Sequence, residues 1–177
     1  MAILLMSKLP ARVIQVLQDY LPAELDLIDA SLADGITTVD IANADYYDWD
    51  IPVIQEYPAV SLRPVSSTPT GKVYTALMGE RIDAEHRIDV MFHVQLSDAA
   101  QEPSLMLKLL YRYIAGAARV LCVTKEALQT VADPTRYASM CAWVGDAEYG
   151  PSVEQEEGAL VRTATLPISI RMFENRT

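Results

Sequence analysis

Two cysteines, Cys122 and Cys141, two histidines, His86 and His93, and seven glycines are all that 177 residues provide of these types. So few cysteines imply no disulfide framework, leaving one bridge open, and point to a reducing compartment by default, and no Cys/His spacing fits zinc. The two histidines are seven residues apart in one strand-like run, so they point to opposite faces and cannot form a local base-and-orienter pair. Basic residues are also scarce: 14 against 24 acidic ones, for a formal charge of −10, which argues against broad contact with nucleic-acid phosphates. No apolar run approaches the roughly 20 residues that span a bilayer. The apolar start Met1–Met6 is too short for a secretory core and has no basic residue ahead of it, so it reads as part of the mature chain. A soluble protein is expected.

What is present is enough for one core. Hydrophobic residues make up 51% of the chain and charges are interspersed, which favours a single domain over 1–177 and excludes a solvated coil. Residues 1–7 are expected to be a short arm and 41–57 a loop elaboration. A helix is predicted over Lys8–Leu21, with Pro10 in its first turn and Leu9, Val13, Val16, Leu17 and Tyr20 on its apolar stripe. A strand is predicted over Tyr57–Pro64, followed by a turn at Ser66–Gly71.

The clearest element is Arg87–Leu96. Ile88, Val90, Phe92, Val94 and Leu96 alternate with Arg87, Asp89, Met91, His93 and Gln95, the period-2 pattern of a strand with one buried face. After Ser104 as N-cap, Met106, Leu110, Tyr113, Ala117 and Leu121 recur at helical spacing, widened by Leu105, Leu109 and Ile114. A short helix near Lys125–Val131 follows. Two strands, near Tyr137–Tyr149 and Leu160–Phe173, flank an acidic connection at Gly150–Gly158, and Pro167 marks the last strand as partly an edge or as bulged. The order implies an α+β fold: an antiparallel sheet of about four or more strands with helices packed on one face.

Motifs that would carry chemistry are weak. Asp45, Asp48 and Asp50 lack the Gly and terminal Glu of a calcium loop, so a solvated turn is expected. Gly71-Lys72 lacks the preceding glycine of a phosphate-binding loop and does not open a helix. Lys108, Arg112 and Arg119 are expected on a solvated face or in ion pairs with acidic neighbours. Cys122 and Cys141 are expected to be buried, and His93 to sit exposed or at an interface on the polar strand face. No catalytic, cofactor-binding or metal-binding residue is expected.

Tyr57-Pro-Ala-Val-Ser-Leu, the alternating strand leading to a helix containing Leu110-Tyr-Arg-Tyr-Ile-Ala, and the closing Ile168-Ser-Ile-Arg-Met-Phe together resemble the tail-terminator and tail-completion (neck) proteins of tailed bacteriophages. The resemblance spans roughly 8–173 and rests on element order and the short string at Tyr57. It implies a structural, non-enzymatic virion protein, assembled in the host cytoplasm into a homo-oligomeric, hexameric ring at the head-proximal end of the tail. The ring would end tube growth and contact the tail tube protein and the neck or connector proteins.

Under that reading Glu148, Glu154, Glu156 and Glu157 would face the lumen or the tail, letting DNA pass without holding it. Ile3, Leu4, Leu5, Tyr46, Tyr47 and Trp49 would meet a neighbouring subunit. The alternatives are a head-completion stopper or connector-adaptor ring, and a small α+β enzyme or ligand-binding domain.

Overall fold

The computed structural model describes residues 2–49, 54–75, 79–96, 103–123, 137–154 and 159–176. Helix α1 (Ala2–Leu32) leads through a single turn of 3₁₀ helix (Asn43–Asp45) to the two-residue strand β1 (Tyr46–Tyr47). Strands β2 (Ala59–Thr75) and β3 (Gly79–Leu96), helix α2 (Pro103–Val123), and strands β4 (Tyr137–Val144), β5 (Glu148–Glu154) and β6 (Leu160–Arg176) follow. This is an α+β fold. The sheet order is β1-β2-β3-β6-β4, with β5 also paired to β6. All pairings are antiparallel except β1–β2, which is parallel, so the sheet is mixed and not purely antiparallel as expected.

Residues 2–8 belong to α1 and not to a separate arm, and the helix runs eleven residues past Leu21 through Pro22. An interior proline costs about 3 kcal/mol, so the extension has to be repaid by packing. The stripe that does so is Leu9, Val13, Val16, Leu17, Leu21, Leu25 and Ile28, all buried. Tyr20 leaves this stripe and is 46% exposed. Helix α2 buries all five of the residues its spacing singled out, together with Ile114. The two helices pack closely at Gly116: a Cβ there would stand 2.9 Å from Leu21 Cδ1 and 3.3 Å from Leu25 Cδ2.

Ile88, Val90, Phe92, Val94 and Leu96 of β3 are all buried and join Val60 and Leu62 of β2, Ala164, Leu166, Ile168 and Ile170 of β6, and both helices in one cluster. Phe92 stacks on Tyr113 of α2 with ring centroids 5.8 Å apart. The turn expected at Ser66–Gly71 is strand, interrupted by register shifts at Pro64/Ser66 and Pro69/Gly71. Its turn-forming residues act instead as bulges in a strand whose far side is paired, among the described residues, only at Val60 and Ser61.

Strand β6 is central, but its flank toward β4 and β5 has no continuous ladder at Pro167, and this local edge explains how the proline is tolerated. In an antiparallel ladder the N–H and C=O of one residue point the same way. Pro167 O accepts from Gly145 N at 2.8 Å, so the missing donor of Pro167 faces the gap where β4 ends and β5 has not begun. A Cβ on Gly145 would lie 3.0 Å from Pro167 Cγ, which is why the crossing point is a glycine. The helix expected near Lys125–Val131 lies outside the described residues.

Candidate functional site

The most densely bonded polar cluster lies where α1 ends. Ala33 takes a left-handed conformation (φ 47°) and donates its N–H to Asp29 O at 3.0 Å, and Gly35 follows at φ 77°. This turn brings the chain back across α2, where Arg112 is waiting. Arg112 Nη1 donates to Asp29 Oδ1 (2.5 Å) and Ile36 O (2.7 Å), and Nη2 donates to Asp34 Oδ1 (2.6 Å). Asp29 also accepts from Thr38 N at 2.6 Å and Thr38 Oγ1 at 2.8 Å. Tyr113 adds a hydrogen bond from its hydroxyl to Val39 O. Burial pushes the Tyr113 hydroxyl well above its ordinary pKa.

The charges settle one another. Burial opposes ionisation of Asp29, but hydrogen bonds from Thr38 and Arg112 more than offset it and hold the carboxyl below its usual range. Asp34 is held low by Arg112 and by the Ile36 N–H. Burial would lower the Arg112 pKa, yet its two carboxylate partners raise it. Arg112 is only 3% exposed and ion-paired, whereas Lys108 and Arg119 stand exposed, so the two expected arrangements are divided among the three residues. Beside this clasp lies an open groove of about 420 Å³, walled by Ile28 and Leu32 of α1 and by Lys108, Tyr111, Ala115 and Arg119 of α2.

A second cluster crosses the sheet. Ser61 Oγ lies 2.9 Å from His93 Nε2, and His93 Nδ1 lies 2.9 Å from Thr163 Oγ1. A serine bonded to an imidazole is the contact a nucleophile needs, but Ser61 is 1% exposed, so an incoming substrate has no access to its hydroxyl. The three side chains stitch β2, β3 and β6 together. Next to them Arg63 Nη2 pairs with Asp89 Oδ2 at 2.8 Å. On the opposite face His86 is fully buried, with no hydrogen-bond partner on either ring nitrogen, and burial lowers its pKa. The two histidines therefore do face opposite ways.

The residues expected at interfaces are dispersed. Glu148 and Glu154 bound β5 and are exposed, whereas Glu156 and Glu157 lie outside the described residues. Ile3, Leu4 and Leu5 fall in the first turns of α1. Trp49 is 54% exposed and Tyr47 is half-buried, but Tyr46 is only 9% exposed and belongs to the chain's own core. Burial raises its hydroxyl pKa, and it has no surface to offer a neighbour. Asp45 is buried and bonds Tyr47, so the turn expected to be solvated is packed at Asp45, whereas Asp48 is exposed and Asp50 lies outside the described residues.

Cys122 is exposed and free, contrary to the buried role expected of it, while the side chain of Cys141 lies outside the described set. Among the described residues no group of three or more His, Cys, Asp or Glu could hold a metal ion, and no helix is long and apolar enough to cross a membrane. The Arg112 clasp was missed from sequence because its partners lie 83 and 78 residues away. The one local signal was Gly116, one turn further along α2, which marks a face too close to α1 for solvent. No known family's sequence profile matches this chain, and no curated protein matches it.

Proposed function

We propose that this chain is a structural ring subunit, a tail terminator that closes the head-proximal end of a bacteriophage tail and joins it to the head. The observation that carries the reading is a sheet left open at both sides. On one side β2 has a partner strand among the described residues only at Val60 and Ser61, so the rest of its seventeen residues present an edge to them. On the other side β4 and β5 pair only with β6 among the described strands.

Two different open edges on one subunit are what a head-to-tail contact requires, and such contacts close into rings when the rotation permits. The Pro64 and Pro69 irregularities in β2 discourage uncontrolled strand addition, so a neighbour meets this side through side chains more than through a continuous ladder. In this reading both helices share one face of the sheet. The other face, with Arg63, Asp89, His93 and Thr163, is left for the tail tube or the neck proteins. The net charge of −10 keeps a ring lumen from holding DNA phosphates.

The test is electron microscopy of phage particles made without this protein. Tails of uncontrolled length, or finished tails without heads, are the expected result. Normal tails joined to heads would overturn the proposal.

A further inference from the structure

We infer that Asp34-Gly35, in the turn after α1, is a site of covalent self-modification, where the chain closes to a succinimide and reopens as isoaspartate, and that the Arg112 clasp holds this reaction off. Asp34-Gly35 is the only Asp-Gly pair in the sequence, and no Asn-Gly pair occurs. In such a pair the second residue has no side chain to shield its backbone nitrogen from the carboxyl carbon of the first. The structure leaves that nitrogen open: a Cβ on Gly35 would meet nothing within 4 Å, and the Gly35 N–H has no hydrogen-bond acceptor among the described residues. The Asp34 side chain keeps 37% exposure, so water reaches the ring once it has closed.

The reaction balances with water alone. With the carboxyl group neutral, Gly35 N attacks Asp34 Cγ. The N–Cγ bond forms, the Cγ–Oδ2 bond breaks, and Oδ2 leaves as water with the carboxyl proton and the proton of the attacking N–H. Water then adds back at one of the two imide carbonyls. Addition at Cγ restores aspartate. Addition at the Asp34 backbone carbonyl breaks its bond to Gly35 N, so the main chain runs through Cγ and is longer by one carbon.

The clasp opposes the first step. Arg112 Nη2 and the Ile36 N–H both donate to Asp34 Oδ1, at 2.6 Å and 3.1 Å, and restrain the rotation that ring closure needs. Both bonds favour the carboxylate, whose oxygen is a poor leaving group, over the neutral acid that reacts. Arg112 is itself held by Asp29 Oδ1 and Ile36 O, so it does not follow Asp34 as the side chain turns. The product undoes the same contacts. A carbon inserted between Asp34 and Gly35 displaces the acceptor of Arg112 Nη2 and disturbs the positive-φ turn that returns the chain across α2. The clasp therefore guards the peptide link whose rearrangement would dismantle it.

The experiment ages the full-length protein in mildly acidic ¹⁸O-water, folded and in urea, and reads Asp34 by peptide mapping. Isoaspartate carries ¹⁸O and resists the protease Asp-N, which cuts before aspartate. Wild type, R112M, R112Q and D34E are compared, with circular dichroism of each sample at the start. Isoaspartate is expected to form at Asp34 about tenfold or more slowly in the folded wild type than in urea, and a folded R112M or R112Q to lose most of that protection. D34E, which would have to close a larger ring, is expected to age far more slowly than wild type in urea. If a folded Arg112 variant ages at the wild-type rate, the guard is overturned. If no isoaspartate forms at Asp34 even in urea, the site is overturned. If neither Arg112 variant folds, the wild-type comparison decides, and equal rates in the folded and the urea-treated chain overturn the proposal.

Discussion

Replacing Arg112 with Met tests whether the clasp at the end of α1 stabilises the fold or merely decorates it. Methionine keeps most of the buried stem and removes the three guanidinium hydrogen bonds to Asp29, Ile36 and Asp34. Breaking a fully buried ion pair typically costs about 3–5 kcal/mol, because the orphaned partner stays dry. Here the Asp29 and Asp34 side chains retain 17% and 37% exposure and can rehydrate, while the buried arginine disappears altogether. The expected loss is therefore smaller, about 2–4 kcal/mol, or about 5–15 °C in Tm for a domain of this size.

The pH dependence supplies the sharper test. Asp29 and Asp34 are both held below their ordinary pKa of 3.8, so their contribution is complete above about pH 4 and is lost as pH falls through the depressed values. The difference between wild type and R112M, read by thermal melts from pH 7 to pH 2.5, should be largest near neutrality and shrink in acid. A Tm change under about 2 °C at pH 7, or a difference that does not vary with pH, would refute the reasoning.

Three further outcomes follow from the same structure. His86 is buried neutral with a lowered pKa, so its contribution is complete above pH 6.5 and falls as the pH drops below it; denaturant melts should show H86F removing that dependence and matching or exceeding wild-type stability at pH 7.5. At Gly116 the atoms in the way are side-chain methyls, so G116A should stay within about 1 kcal/mol of wild type, whereas G116V should lose about 1–3 kcal/mol in urea melts. Cys122 should react with a maleimide in the native protein, and a native labelling stoichiometry unchanged in C122S would contradict its exposure.

Where local periodicity and burial agree, the sequence was readable. Ile88, Val90, Phe92, Val94 and Leu96 of β3 alternate, Met106, Leu110, Tyr113, Ala117 and Leu121 of α2 recur at helical spacing, and both sets are buried as their spacing demands. The failures share one cause, a local signal overruled by a distant surface. Pro22 signals a helix end, but Leu25 and Ile28 continue the stripe that meets α2. Ser66–Gly71 is rich in turn formers, yet β3 offers a full-length partner and the turn formers become bulges. Tyr46 sits among loop-like residues and is drawn into the core by the parallel pairing of β1 with β2.

Pro167 connects this loss of local information to the surface that matters most. A proline in a strand argues for an edge, and on the β6 backbone it is one: the side facing Gly145 lacks a continuous ladder because β4 stops at Val144 and β5 starts at Glu148. The β3 side is paired from Leu160 to Arg176 without interruption. One residue therefore divides the flank of β6 between two short strands in place of one long one. A single long strand would continue the β4 ladder in one line, whereas the break lets β5 begin anew. With Tyr149 anchored on Tyr111, residues Pro151–Glu154 of β5 are all exposed, and the register shift between Tyr149 and Ser152 turns Glu148 and Glu154 to opposite faces of the sheet. The start of β5 is thus placed by a backbone device two strand positions along β6 from Thr165, the partner of Glu148, and not by the charges of the acidic connection.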